Sequence, residues 1–159
     1  MLSLRISLTG QYLDVLDAGR RLERFPVSTS RFGPGEREGS GCTPRGRHRV
    51  RARIGAGLPP GAVLRVRRPT GEVWSPALAV AQPGNDWILS RILWLSGCEP
   101  GRNRLGAVDT MRRFIYIHGT PETEPMGVPF SHGCIRMRQN DVIRLFDMVV
   151  AGTPVEIVP

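Results

Sequence analysis

The sequence contains no lysine. All 22 of its basic side chains are arginine, against 14 acidic ones, so the net charge is +8 at neutral pH. A complete absence of one common residue reads as a compositional bias of the genome. The arginines run from Arg5 to Arg144 without a long uninterrupted block, which speaks for a solvated basic face and against a dedicated nucleic-acid groove. Such a face attracts polyanions, including carboxylate-bearing polymers. Cysteine pairs are missing as well: Cys42, Cys98 and Cys134 stand alone, none in a C-x-x-C, and one of three is unpaired whatever the others do, so no disulfide framework is expected. Long apolar runs are absent. Arg5, Thr9, Gly10, Asp14 and Asp17 interrupt Met1 to Arg20, so no signal peptide is read there, and no stretch has transmembrane length. Aromatics are scarce at 6%.

What is present suits one globular domain. A chain of 159 residues buries roughly 68–70% of the surface exposed when unfolded, and the reading is a single domain over residues 1–159 with no linker and no internal repeat. With 19 Gly and 14 Pro, turns are plentiful, which favours many short strands. Leu4–Leu8 alternates apolar with polar, Thr9-Gly10 turns, and Tyr12–Leu16 follows, a hairpin pattern. Further strands are expected at 21–27, 48–54, 62–67, 87–95, 114–117 and 155–158. Residues 30–47 and 96–110 carry loop chemistry, the first read as a surface loop. One long helix is expected late in the chain, where Val142, Leu145, Phe146, Val149 and Val150 share a stripe, with Asn140 as N-cap and Gly152 at the C′ position. The class is therefore mainly β, with one helix packed on the sheet.

The chemistry-bearing residues gather in two short segments, His118-Gly119-Thr120 and Ser131-His132-Gly133-Cys134-Ile135-Arg136. A thiol near its ordinary value is about 3% ionised at neutral pH, and making it a standing thiolate takes roughly 3.4 kcal/mol of stabilisation. An imidazolium from His118 beside Cys134 is of that order. Gly133 lets the backbone approach a substrate carbonyl, so that the amides of Gly133 and Cys134 face an oxyanion. Cys42 and Cys98 read as small buried hydrophobes. His48, between Arg47 and Arg49, reads as a surface strand residue. A zinc site of His118, His132 and Cys134 lacks a fourth ligand and any common spacing, so no metal is expected.

These residues resemble a known family. Ile115-Tyr116-Ile117-His118-Gly119-Thr120 followed by Ser131-His132-Gly133-Cys134-Ile135-Arg136-Met137 is similar to the signature of the L,D-transpeptidase catalytic domain, the YkuD-like family of cell-wall enzymes. Pro26-Val27-Ser28-Thr29, Thr43-Pro44-Arg45-Gly46 and Gly152-Thr153-Pro154-Val155 extend the likeness from about Gln11 to Val158.

The resemblance implies a β-sandwich-like fold and acyl transfer on peptidoglycan stem peptides, with Cys134 as nucleophile, His118 as base oriented by the Gly119 carbonyl, and Ser131, His132, Gly133 and Arg136 on the oxyanion and substrate side. It implies no cofactor, sensitivity to carbapenem-type inhibitors, and a periplasmic or envelope location. Hydrolysis of the same bonds, as an L,D-carboxypeptidase or endopeptidase, and a non-catalytic wall-binding role are the alternatives. The segment between His118 and Ser131 is short for the family, which implies a reduced lid and an altered choice of acceptor.

Overall fold

The computed structural model describes residues 1–159. Three antiparallel strands open the chain: β1 (Leu2–Ser7), β2 (Tyr12–Asp17) and β3 (Arg20–Pro26). A long excursion leads to β4 (Gly46–Ile54), followed by the hairpin β5 (Ala62–Arg65) and β6 (Arg68–Val73) and a six-residue helix α1 (Pro76–Ala81). Then come β7 (Ile88–Gly97), β8 (Tyr116–Thr120), β9 (Ile135–Arg138), α2 (Gln139–Met148) and β10 (Pro154–Val158). All ten strands join one sheet. Its main path is β3-β2-β1-β10-β4-β7-β5-β6, with β8 on β7 and β9 on β8. The mainly-β class with one principal helix is thus realised by a single curled sheet.

β7 organises the rest. Along one edge it pairs with β4 through Ile92–Gly97 and with β5 through Ile88–Leu89, while β8 pairs along the other. The ladder shifts between Leu89 and Ile92, where Ser90 takes φ +73°, so the alternation expected across 87–95 is broken by a bulge. On one side of the sheet Leu93, Leu95, Ile117, Ile135 and Met137 join Leu4, Ile6, Leu13, Val15 and Ile157 in the main core. α2 closes that core with Val142, Leu145 and Phe146, spaced i, i+3, i+4 on one stripe. Fully burying a side chain such as Leu145 contributes about 1.5–3 kcal/mol.

The helix boundaries differ from those expected. Asn140 lies inside the first turn, Arg138 is the N-cap without a side-chain cap bond, and Val149 is the C-cap. The reason is that β9 runs directly into α2, so strand geometry rather than capping chemistry fixes the start. Gly152 instead takes φ +93° in the turn before β10, with its N–H donating to the Val50 carbonyl. β6, β9 and α1 have no counterpart in the sequence reading, because Arg68–Val73 is exposed throughout and β9 is only four residues long.

Two placements overturn expectation. His48 is buried, not superficial: its Nδ1–H donates to the Gly46 carbonyl (3.0 Å) and its Nε2 accepts from the Thr110 hydroxyl (2.9 Å). β4 alternates, so its arginines take the outward positions and His48 the inward one. Cys98, expected in the core, is exposed just beyond the end of β7.

Burial lowers His48 to about 4. A proton it refuses when folded is taken up at its ordinary value when unfolded, so stability is full above pH 6.5 and falls as the pH drops through about 4. Urea unfolding at stepped pH should show wild type losing about 3 kcal/mol more than His48→Gln over that interval. His118 acts in the same direction in both proteins, so the difference between them isolates His48.

Candidate functional site

The face of the sheet opposite the main core carries the chemistry. β8 and β9 are parallel, with Ile117 opposite Ile135 and His118 opposite Arg136. Side chains alternate, so Ile117 and Ile135 enter the core while Tyr116, His118, Cys134 and Arg136 share the other face. Cys134 packs there with Tyr116, Ile92 and Trp94. His118 stands two residues further along the neighbouring strand, diagonal to the thiol. It lies within β8, which continues to Thr120, rather than at the mouth of a strand ending at Ile117. Phe114 instead leaves the ladder in a left-handed turn at φ +56°, half exposed.

The histidine's tautomer follows from its partner. A carbonyl only accepts, so the Gly119 oxygen 2.7 Å from Nδ1 puts the proton on Nδ1. Burial lowers the basicity of His118, against the pull of Asp86 and the Gly119 carbonyl. The imidazole is therefore neutral, with the Nε2 lone pair free to take a proton. Gly119 is required for closeness: a Cβ there would collide with the Leu89 carbonyl oxygen across the strand pair.

Cys134 departs from the expected standing thiolate. Burial pushes its thiol up to about 12, outweighing the Tyr116 N–H and the charges of Arg136 and Arg113. Sγ–H donates to the Phe114 carbonyl (3.4 Å) and Sγ accepts from Tyr116 N–H (3.3 Å). An imidazole whose basicity is itself lowered by burial is too weak a base to hold this proton in the absence of substrate. The resting pair is neutral, and the apolar wall of Tyr116, Ile92 and Trp94 is the reason.

The turn before Cys134 is pinned from two sides. Buried Ser131 donates to the Cys134 carbonyl (2.6 Å) and accepts from the Gly133 N–H (3.2 Å). Thr43 donates to the Gly133 carbonyl (2.9 Å) and accepts from Ser30 N–H (3.0 Å). Gly133 holds φ +129°, a conformation L side chains rarely adopt. Its amide is already engaged by Ser131, which leaves the His132 and Cys134 N–H groups as the donors of this turn with no acceptor in the chain. The segment 30–47 is accordingly no mere surface loop: Ser30, Thr43 and Pro44 are buried beneath the turn, and Arg113 donates to the Cys42 carbonyl (2.6 Å).

Asp86 is the residue the sequence reading missed. It precedes β7 and accepts from buried Arg136 at 2.7 Å, with His132 Nδ1 at 3.5 Å from its other oxygen. Burial alone would raise its carboxyl, but His118, Arg136 and His132 together hold it below the usual range. No motif marks a lone Asp between Gly-Asn and Trp. Arg136 also faces Glu124 at 3.5 Å, and its Nε is buried without a partner. A cavity of about 310 Å³ adjoins these groups, lined by Asp86, His132, Arg136 and Trp74 and walled by Thr123, Glu124 and Phe130 from the segment between His118 and Ser131. Trp74 Nε1 is likewise buried without an acceptor. Two orphaned donors in one wall suit a ligand rich in carbonyl or carboxylate oxygen. No three His, Cys, Asp or Glu side chains converge to hold a metal ion, and no helix is long and apolar enough to cross a membrane.

The profile of the YkuD family, L,D-transpeptidase catalytic domain, matches residues 3–157. Among curated proteins, the probable L,D-transpeptidases ErfK/SrfK of Escherichia coli and Salmonella typhimurium are 46% identical over 46 residues, 29% of this chain and 15% of theirs. L,D-transpeptidase 3 of Mycobacterium tuberculosis superposes with a TM-score of 0.61 at 16% identity, covering 99% of this chain and 61% of that one. An L,D-transpeptidase solved in complex with imipenem gives 0.59 at 20% identity, covering 99% and 58%. The alignments thus span a small part of the curated relatives and about three fifths of the solved chains, and the structural likeness is one of fold.

Because Cys134 is held as a thiol, iodoacetamide at pH 7 should label exposed Cys98 well before Cys134. Labelling of Cys134 should still be rising above pH 10. Peptide mapping by mass spectrometry reads both; prompt labelling of Cys134 at neutral pH would contradict the neutral-pair description.

Proposed function

Because the chain belongs to the L,D-transpeptidase catalytic-domain family, whose profile spans nearly its whole length, we propose that it transfers acyl groups of peptidoglycan stem peptides through a thioester on Cys134. The observation that carries this reading is one shared face bearing a half-buried thiol and a neutral imidazole whose Nε2 is left bare by the Nδ1–Gly119 bond. The peptide carbonyl between the diamino acid and the terminal D-Ala enters beside Cys134. As Sγ bonds to the carbonyl carbon, its proton passes to His118 Nε2 and the negative charge moves to oxygen, where the Cys134 N–H receives it. The C–N bond then breaks, His118 returns the proton to the leaving D-Ala amine, and the thioester remains. An amine of a second stem repeats the sequence in reverse, losing its proton to His118 and expelling the thiol.

Each assignment answers a physical need. The cost of separating charge in the empty site ties proton transfer to carbonyl attack, so the thiol is not spent on stray electrophiles. Asp86 sits beside His118 and Arg136 and favours the imidazolium formed in transit. Ser131 and Thr43 hold the turn so that the Cys134 amide keeps its aim. Water in place of the amine gives the carboxypeptidase outcome from the same thioester. The substrate's location assigns the protein to the cell envelope.

Incubation with purified tetrapeptide stems and mass analysis should yield cross-linked dimers, and tripeptide alone would mark hydrolysis instead. Cys134→Ala should abolish turnover, and His118→Ala should reduce acylation by about 10²–10⁴-fold, whereas Cys98→Ala should leave it within twofold. Exposure to imipenem should add one covalent adduct, lost in Cys134→Ala. Turnover surviving in Cys134→Ala would overturn the reading.

A further inference from the structure

A second cavity, of about 480 Å³, lies on the same sheet face as the thiol but across the sheet from it. Its walls carry Arg49, Arg51, Arg104 and Arg112, with Trp94 and Phe114 between them and Cys134. Arg49 pairs with Ser96, and Trp94 with Tyr116, so the path from thiol to arginines crosses β9, β8, β7 and β4 in turn. Three strand spacings make about 14 Å, the reach of about four extended residues.

None of the four guanidinium groups forms a salt bridge, a hydrogen bond or a cation–π contact within the chain. The one carboxylate there, Asp109, is occupied by the main-chain N–H groups of Leu105 (2.7 Å) and Arg112 (3.0 Å). All four arginines are exposed and Asp109 offsets one of them, so the cavity carries an excess of three positive charges that an entering anion would relieve. A second feature is independent of charge: Leu105 and Phe114, bulky residues that both line the cavity, stand at φ +70° and +56° and are more than half exposed. Backbone strain of this kind costs of order 1–3 kcal/mol each, and here it holds two apolar side chains outward at the rim.

We propose that this cavity is a subsite for a carboxylate-bearing segment of the acyl-donor peptide, lying within about four residues of the carbonyl that Cys134 attacks. The proposal rests on the thioester reading for which peptide is meant, but not for the binding itself. Bidentate guanidinium–carboxylate pairing supplies affinity and register, and Trp94, Phe114 and Leu105 cover the intervening backbone.

The test is calorimetric titration of Cys134→Ala with tetrapeptide stems identical except that a carboxyl group on the N-terminal side of the diamino acid is free or amidated. The free acid should bind about tenfold tighter, and R49Q/R104Q should remove that preference while leaving the amidated peptide's affinity unchanged. R49K/R104K should restore part of it, which a variant damaged in folding would not do, and iodoacetamide labelling of Cys134 at wild-type rate in R49Q/R104Q, in the otherwise unmutated chain, checks the fold directly. Equal affinity for acid and amide, or a preference that survives R49Q/R104Q, overturns the proposal even if turnover is intact. Tighter binding of an octameric oligothymidylate than of the acidic peptide, lost in R49Q/R104Q, also overturns it, in favour of a phosphodiester ligand. Failure of wild type to release D-Ala from any stem, with the acid preference present, defeats the thioester reading alone.

Discussion

The parallel pairing of β8 with β9 is the constraint on which the site depends. It makes the strand bearing His118 and the strand headed by Cys134 neighbours in a fixed register, Ile117 beside Ile135 and His118 beside Arg136. A slip of one residue would send the histidine into the apolar core and bring an isoleucine to the thiol. The register is secured from below, because Ile117, Ile135 and Met137 are fully buried against α2 and the first strands. Core packing on one face therefore sets the chemistry on the other.

The electrostatics of that face follow from its mixed composition. Aromatic and aliphatic neighbours disfavour charge on sulfur and imidazole alike, and both rest neutral. A short distance away, Arg136 helps to hold the Asp86 carboxyl below its ordinary range. The thiol thus sits where charge is expensive, next to a pair that makes charge tolerable once it appears. Reactivity is conditional on a bound electrophile rather than stored as a thiolate.

Much of this was legible in the sequence, for identifiable reasons. The strands of the first hairpin announce themselves by alternation, β4, β5, β7 and β10 as short apolar-rich runs between turn residues, and α2 by its stripe. His118, Ser131 and Cys134 stand out because polar turn chemistry directly follows an apolar run. What was hidden depends on partners distant in sequence. Asp86 acquires meaning only through Arg136, fifty residues later, and Thr43 only through Gly133, ninety residues later. His48 looked superficial because both its neighbours are arginine, yet strand alternation puts those two outside and the imidazole within. The thiol's resting state was misjudged because motif reading counts the nearby histidine and overlooks the hydrophobic lining.

The direct passage from β9 into α2 has a consequence for how such a chain can diversify. Arg138 is at once the last residue of a strand and the cap of a helix, so four residues downstream of the sulfur the polypeptide has no slack. Length cannot be added there without rotating the helix off Ile117 and Met137. New loops, appended modules or altered lids have to be accommodated in the segments 98–113 and 121–130, on the rim where the two cavities open. Variety in such a protein is confined to its edges, while the joint between strand and helix stays at one fixed length.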